Sequence, residues 1–265
     1  MYNDLSLYCI VMVKAMDNYV FGRNNVIELL KEGNRSVSKL ILMKNMKDNS
    51  KIDQILDLAR ERGIIFQFLP KEKFTQFKEY SHQGVVAYVS PVKYIDLDEF
   101  LLKEKKDYKR VIVTDGVEDP HNFGSIIRTA VCAGYDAIIF PSRRNATVNA
   151  TVEKSSAGAV NRIDLIMVNS LSSAVDKLKN NDFWVIATDL NAKDNYYDID
   201  YCNMNFAIVM GSEKEGISST ILKNADFKIK IPMLTDFDSL NVANAASIVI
   251  YEAVKQTMQK SGNVV

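Results

Sequence analysis

Apolar and polar positions along residues 18–95 form short blocks whose period changes several times. Alternating blocks predict strands, and blocks with apolar residues three or four positions apart predict amphipathic helices. The predicted helices span residues 25–30, 52–62 and 71–77, and the predicted strands span residues 37–43, 64–69 and 85–89. Gly33 and Gly63 follow the first two helices as typical terminators. The pattern predicts a small α/β domain over residues 18–95, preceded by an extension over residues 1–17.

A second alternating pattern covers residues 109–265, after a charged segment over residues 96–108 that we interpret as a linker with one short helix. The predicted strands span residues 111–114, 137–140, 163–168, 184–188, 206–210 and 227–231, and the predicted helices span residues 124–133, 171–178 and 240–258. Short, nearly continuous apolar strands between helices predict an α/β fold with a mostly parallel sheet covered on both faces. Such sheets bind ligands beyond the carboxyl ends of their strands. We therefore expect the chemistry in the loops after Thr114, Thr188, Met210 and Ile231.

The composition is that of an ordinary globular protein, with 47% hydrophobic and 25% charged residues in a chain of 265. This balance excludes a disordered, collagen-like or coiled-coil chain. No window reaches the ~18 consecutive apolar residues of a membrane span, so we expect a cytoplasmic protein. Three distant cysteines and only two histidines predict neither a disulfide framework nor a metal site.

The charge is balanced over the whole chain but unevenly divided. Residues 1–95 carry 14 Lys/Arg and 10 Asp/Glu, whereas residues 96–265 carry 19 Lys/Arg and 23 Asp/Glu. A nucleic-acid partner would take its phosphate contacts from the basic part. Chance scatter of surface charge explains the difference equally well.

The loop over residues 115–124 leaves a predicted strand and enters a predicted helix. Asp119-Pro120 indicates a turn. Asn122 stands just before the helix, where it could cap the helix or serve a ligand. Arg128 falls on the first turn of the predicted helix, where a cation opposes the helix dipole. We interpret that misfit as a sign of function.

Two later segments narrow the ligand class. Gly211 and Gly216 are spaced as in a phosphate loop, but Ile217 stands where that loop needs a lysine. The chain also lacks a G-x-G-x-x-G fingerprint, so the sequence does not favour ATP, GTP or NAD as the ligand. Farther on, Ser239 could cap the helix predicted from residue 240. Asn241 within that apolar helix needs a partner, which could be a ligand, a neighbouring loop or another subunit.

Together these three segments resemble the motifs of the SpoU/TrmH-type 2′-O-ribose methyltransferases of the SPOUT superfamily, over residues 109–258. Residues 20–28 and 82–87 are similar to the RNA-binding domain that precedes the catalytic domain in the bacterial 23S rRNA guanosine-2′-O-methyltransferases. The resemblance implies a small L30e-like RNA-binding domain followed by a catalytic domain with a deep trefoil knot. It also implies S-adenosylmethionine as the cofactor and a homodimer formed through the knotted domain.

The resemblance also assigns roles to individual residues. It implies catalytic roles for Asn122, Arg128, Glu213, Ser239 and Asn241, and cofactor contacts for Thr188, Met210, Gly211, Gly216, Ile231, Met233 and Leu240. As RNA contacts we expect Arg23 together with Arg143 and Arg144, which lie in the loop after Phe140 near the first of the three motif loops. Lys39, Lys44, Arg60 and Arg62 are further candidates, although solvated surface charge explains them and Arg23 more readily. Because a guanidinium stays protonated at neutral pH, we interpret Arg128 as stabilising negative charge on the 2′-oxygen or bridging a phosphate. Glu213 or a water would then accept the proton.

Three alternatives stay open at this point. The substrate could be a tRNA, although the tRNA enzymes of this type resemble only the catalytic domain. The chain could be a related antibiotic-resistance rRNA methyltransferase. It could also be a catalytically inactive RNA-binding factor for ribosome assembly, which the intact set of predicted catalytic residues disfavours.

Overall fold

The computed structural model describes residues 19–33, 35–46, 50–104, 108–236 and 239–260, so the predicted extension over residues 1–17 lies outside the described residues. The described chain divides into two compact units. The first contains the residues up to Lys93 together with Val148–Arg162, and the second contains Tyr94–Thr147 and the chain after Arg162.

The first unit is built on a four-stranded sheet. Its strands are β1 (Tyr19–Phe21), β2 (Val37–Met43), β3 (Phe66–Leu69) and β4 (Val85–Val89), and its helices are α1 (Arg23–Glu32), α2 (Ser50–Glu61) and a 3₁₀ helix (Lys71–Phe77). The strand order is β1-β4-β2-β3, with β2 and β3 parallel and the other pairs antiparallel. β2 and β4 match the predicted strands residue for residue. α1 ends at Gly33, whose φ of 71° is left-handed and suits glycine.

The second unit is built on a seven-stranded sheet in which every pair is parallel, in the order β7-β6-β5-β10-β8-β11-β9. Its strands are β5 (Arg110–Asp115), β6 (Ala137–Pro141), β7 (Asp164–Val168), β8 (Phe183–Thr188), β9 (Asp194–Asn195), β10 (Asn205–Gly211) and β11 (Phe227–Lys230). The α-helices along this part of the chain are α3 (Leu97–Leu102), α4 (Pro120–Cys132), α5 (Ala150–Ser155), α6 (Leu171–Lys179), α7 (Ser219–Asn224) and α8 (Val242–Lys260). The α/β class and the mostly parallel sheet predicted from the apolar runs are confirmed.

The segment predicted as a linker is more ordered than expected. Leu97 and Phe100 on α3 are buried in the hydrophobic core of the second unit, together with residues of β5, β8 and α6. Their spacing of three places both on one helix face. The helix therefore belongs to the second unit instead of simply joining two domains.

Five short elements escape the sequence pattern: β1, α5, α7, β9 and a 3₁₀ turn at Ala159–Asn161. None exceeds six residues, which is too short for a helical period to repeat clearly. Among the described residues, no helix is long and apolar enough to cross a membrane.

The segment Val148–Arg162 differs from the predicted division, which assigned it to the second domain. It lies in the first unit because a buried ion pair holds it there. The Arg35 guanidinium bonds the Glu153 carboxylate, and only 7% of Arg35 and 4% of Glu153 is exposed. Arg35 also donates from Nε and Nη2 to the carbonyl oxygen of Ser90, at 2.9 and 2.7 Å.

We predict that Arg35→Met destabilises the protein strongly, because it leaves the Glu153 charge buried without its partner. Losing one member of a buried pair costs about 3–5 kcal/mol. Burial already raises the pKa of Glu153, against the opposing effect of Arg35, and the variant should raise it further. A raised carboxyl pKa means that the lost stability returns as pH falls and Glu153 binds a proton.

Urea unfolding at neutral and acidic pH measures this effect. The double variant Arg35→Met with Glu153→Leu should regain much of the loss at neutral pH, because it buries no charge. A double variant as unstable as the single one would show that packing at Arg35, and not the charge, is what matters.

Candidate active site

A cavity of about 390 Å³ opens at the carboxyl ends of β8, β10 and β11, at the edge of the sheet where ligand binding was predicted. Its size is typical of small-molecule sites. All seven residues expected to contact a cofactor line it: Thr188, Met210, Gly211, Gly216, Ile231, Met233 and Leu240. Much of the remaining wall is apolar, with Ile217, Leu222, Ile229, Val242 and Val249 among the lining residues.

The loop after β10 folds back on itself against this cavity. Ser212 and Gly216 exchange two backbone hydrogen bonds of 3.1 and 3.0 Å. A Cβ atom on Gly211 would lie only 2.3 Å from the carbonyl carbon of Gly216 and 2.5 Å from the amide nitrogen of Ile217. Only glycine fits at this position without moving the backbone. The chain therefore packs closely at Gly211, with its main chain beside the cavity.

Three predicted catalytic residues meet beside the cavity in one hydrogen-bonded cluster. Glu213 Oε1 accepts hydrogen bonds from Asn122 Nδ2 and from Asn241 Nδ2, both at 2.9 Å. Asn241 Nδ2 also donates to Asn122 Oδ1 at 3.0 Å. Glu213 itself lines the cavity. The cluster thus joins the loops after β5, β10 and β11 at the cavity wall.

Two capping predictions were wrong. α4 begins at Pro120, and Asp119 is its cap, accepting a hydrogen bond from the His121 backbone N–H at 3.1 Å. Asn122 therefore lies inside the first turn of α4, where its amide is free to join the cluster. Proline at the first helical position is favourable because its missing N–H is not needed there.

The cap of α8 is also not the predicted one. Asn241 precedes α8, and its Oδ1 accepts from the backbone N–H groups of Ala243 and Asn244 at 3.0 and 3.4 Å. Ser239 instead lines the cavity. Asn241 is thus exposed at the helix start and not inside the helix, and its partner is the neighbouring loop. One side chain both caps α8 and binds Glu213.

The argument from the helix dipole for Arg128 was wrong as well. Because α4 begins at Pro120, Arg128 stands in its third turn, where the dipole has little influence. Its side chain is exposed and makes no hydrogen bond or ion pair within the described part of the chain. The structure therefore does not bring Arg128 into the cluster of Asn122, Glu213 and Asn241.

The candidate RNA contacts fall into different environments. Arg144 forms an exposed ion pair with Glu215 of the loop after β10, whereas the neighbouring Arg143 is exposed and forms no ion pair among the described residues. Arg23 donates from Nε to the carbonyl oxygen of Gln83 at 3.2 Å, so it also supports the turn before β4.

The other basic candidates of the first unit also differ in whether their side chains have a partner. Lys39 donates to Gln67, Arg60 pairs with Asp57, and Arg62 donates to the carbonyl oxygen of Lys31. Lys44 is exposed, with no side-chain partner within the described residues. Lys44 is thus the member of this group whose charge is not already engaged with a neighbour.

Sequence reasoning missed several residues that shape the site. Asp115 Oδ2 accepts from the Ser218 N–H at 2.8 Å, and Asn145 Oδ1 accepts from Thr114 Oγ1 at 2.9 Å. Asp189, directly after β8, lines the cavity. Its position at the end of a buried strand was a usable signal. No group of three His, Cys, Asp or Glu side chains in the described ranges could hold a metal ion.

Comparisons with known proteins agree with this arrangement. Residues 109–251 match the model of the SpoU rRNA Methylase family, and residues 19–95 match the model described as RNA 2′-O ribose methyltransferase substrate binding. A TrmH family tRNA/rRNA methyltransferase of Staphylococcus epidermidis is 40% identical over 245 residues, covering 92% of this chain and 97% of the relative.

Two solved structures show how far the likeness extends. The AdoMet-bound rRNA methyltransferase from Sinorhizobium meliloti superposes with a TM-score of 0.77 at 23% identity, covering 95% of this chain and 96% of that one. The A. aeolicus TrmH/SpoU tRNA modifying enzyme superposes with a TM-score of 0.53 at 30% identity, covering 63% of this chain and 83% of that one. The chain therefore belongs to the SpoU/TrmH family of methyltransferases.

Proposed function

We propose that this protein transfers a methyl group from S-adenosylmethionine to a ribose 2′-hydroxyl of RNA, with a guanosine of 23S rRNA as the substrate. The observation that carries the proposal is the position of Glu213. This one carboxylate lines the cavity and is held by Asn122 and Asn241. A cofactor in the cavity and a nucleotide at the cluster would thus meet at Glu213.

The cavity suits this cofactor by its chemistry. Apolar residues of the β11 end and of α8 would cover the adenine, and the main chain around Gly211 would bind the polar groups. The tight return of the loop at Gly211 and Gly216 leaves those backbone groups close to the cavity. When bound, S-adenosylmethionine supplies an activated methyl group.

The protein's own residues have to position and deprotonate the hydroxyl, which is a poor nucleophile at neutral pH. Holding reactants in line can contribute up to about 7–11 kcal/mol in favourable intramolecular models. Two amide donors fix the orientation of the Glu213 carboxylate through Oε1, and Oε2 accepts no hydrogen bond from the described residues. Glu213 Oε2, directly or through a water, is our candidate acceptor of the 2′-hydroxyl proton.

Arg128 has a different role in this proposal. Its guanidinium is a poor base because it remains protonated at all ordinary pH values. We assign it to stabilising negative charge on the ribose oxygen or to binding the adjacent phosphate. Because Arg128 is exposed on α4, outside the cluster, the homodimer implied by the resemblance would supply Arg128 of a second copy. The α4 and α8 surfaces, with Tyr251 and Met258 exposed on α8, are the candidate interface.

The presence of a domain over residues 19–95, before the methyltransferase domain, favours an rRNA substrate. The match to a substrate-binding family model covers residues 19–95. The S. meliloti rRNA enzyme aligns over nearly the whole chain, whereas the A. aeolicus tRNA enzyme aligns over 63% of it. Such a substrate would place the activity in the cytoplasm. The trefoil knot, the guanosine and the assignment to the 23S rRNA group stay predictions.

Mass mapping of ribose methylation tests the function directly. We expect one 2′-O-methylated nucleotide of 23S rRNA to be lost in cells lacking this protein and restored by the wild-type gene. A lost tRNA modification would instead establish the tRNA alternative. Unchanged RNA, together with no S-adenosylmethionine binding in calorimetry, would favour an inactive assembly factor.

We predict that Asn241→Asp separates the two roles of Asn241. Aspartate still caps α8 through its carboxylate oxygen, but it cannot donate to Glu213 and places a second carboxylate beside it. We expect methyl transfer to fall at least about tenfold, with the thermal midpoint little changed. Asn241→Ala should lose both the activity and about 1 kcal/mol of cap stability. Normal methyl transfer by Asn241→Asp would remove the cluster from the mechanism.

We predict that Arg128→Lys lowers methyl transfer at every pH, because an ammonium cannot reproduce the planar contacts of a guanidinium. Single-turnover rates from about pH 6 to pH 10 measure the effect. Lysine has a lower and more easily shifted pKa than arginine. If the variant instead gains activity at high pH, a residue at position 128 acts as the base and our assignment fails.

A further inference from the structure

Several polar side chains around the cavity already have partners within the protein. Thr188 Oγ1 donates to the carbonyl oxygen of Val209 at 3.1 Å. Glu213 is held by the two asparagines of the cluster, and Glu215 pairs with Arg144. Asp189 also lines the cavity, and it lies outside the cluster of Asn122, Glu213 and Asn241. Only one of its carboxylate oxygens accepts a hydrogen bond within the described residues.

The local backbone holds Asp189 firmly in place. Its N–H donates to the carbonyl oxygen of Ile229 at 2.9 Å, and its own carbonyl accepts from the Ala192 N–H at 3.0 Å. On the side chain, Oδ1 accepts from the Asn191 N–H at 3.0 Å, which fixes the carboxylate by an Asx turn. Oδ2 has no hydrogen-bond partner in the described part of the chain. A fixed carboxylate with one accepting oxygen left over is suited to bind a hydroxyl donor.

The position of Asp189 selects the part of the cofactor that it can reach. In the sheet, β10 lies between β5 and β8, and β11 lies beyond β8. The cluster sits at the β5 and β10 ends, so the methyl group must lie on that side. Asp189 follows β8, and the lining residues on its side include Leu190, Ile229 and Ile231. An apolar wall accommodates a base far better than a doubly charged amino-acid tail.

We propose that Asp189 accepts hydrogen bonds from the ribose hydroxyls of the cofactor's own nucleoside. A carboxylate at the carboxyl end of a parallel strand is the group that recognises a ribose diol in other α/β sheets. The inference rests on the proposed function, since it assumes that S-adenosylmethionine occupies the cavity. It adds a side-chain contact to a site in which the resemblance expects mainly backbone contacts.

Calorimetry of the full-length protein with three ligands tests the assignment. S-Adenosylmethionine carries the sulfonium and the amino-acid tail, S-adenosylhomocysteine carries only the tail, and 5′-methylthioadenosine carries neither. All three share the ribose. We expect Asp189→Ala to weaken all three by the same factor, at least about tenfold, as for a hydrogen bond to a charged group. For the 2′- and 3′-deoxy analogues of methylthioadenosine, Asp189→Ala should reduce the affinity less, because each analogue lacks one of the two ribose hydroxyls that donate to Asp189.

Two control variants separate binding from folding. Asp189→Asn keeps an oxygen for the Asn191 N–H, so the loop should stay folded while affinity still falls. Asp194→Ala removes a nearby exposed carboxylate on β9 that does not line the cavity, and it should bind all three ligands as the wild type does.

The other outcomes overturn the assignment in distinguishable ways. A loss confined to S-adenosylmethionine would mean that Asp189 faces the sulfonium. A loss for S-adenosylmethionine and S-adenosylhomocysteine alone would mean that it faces the ammonium group. Unchanged affinities would mean that it has no contact with the ligand. If the wild-type protein binds none of the three, the methyltransferase proposal itself fails, and this inference fails with it.

Discussion

The site depends on one shared acceptor, Glu213 Oε1, which holds amide groups from two other loops. Asn122 is 91 residues from Glu213 in sequence, and Asn241 is 28 residues away. No local structure would bring these three side chains together. They meet because β5 and β10 are parallel neighbours with Asp115 opposite Gly211, so the loops that follow both strands leave the sheet at the same level. The meeting of Asn122 and Glu213 is therefore set by the register of the sheet.

The loop after β10 contacts both the cavity and the cluster of Asn122, Glu213 and Asn241. The chain from Gly211 to Ile217 lines the cavity, while the side chain of Glu213 enters the cluster and that of Glu215 pairs with Arg144. Displacement of this loop would affect the cavity, the proposed proton acceptor and a candidate RNA contact at once. The contacts of Ser212 with Gly216 and of Ser218 with Asp115 limit such displacement at both ends of the turn. Rigidity of a single short loop thus serves two binding events.

The sequence predicts the strands well because a buried parallel strand is a continuous apolar run that needs no partner to be recognised. It also locates the cavity, since ligands bind at the carboxyl ends of such strands. Helix starts were predicted less well. Asp119-Pro120 signals both a turn and a helix start, and choosing the turn shifted the start of α4 and misplaced Asn122 and Arg128. The partners of Arg23, Arg144 and Glu153 lie 60 to 118 residues away in sequence, so no local pattern could reveal them.

The ion pair between Arg35 and Glu153 makes the front unit a discontinuous domain. Residues 19–95 match a family model by themselves, yet the compact unit also needs the segment around Glu153 from the middle of the catalytic sequence. Transplanting residues 19–95 onto another methyltransferase would bury the Arg35 guanidinium with no counterion, unless the recipient supplied an equivalent carboxylate. Exchange of substrate specificity between relatives would therefore require two coordinated grafts, one at each of these distant places in the chain.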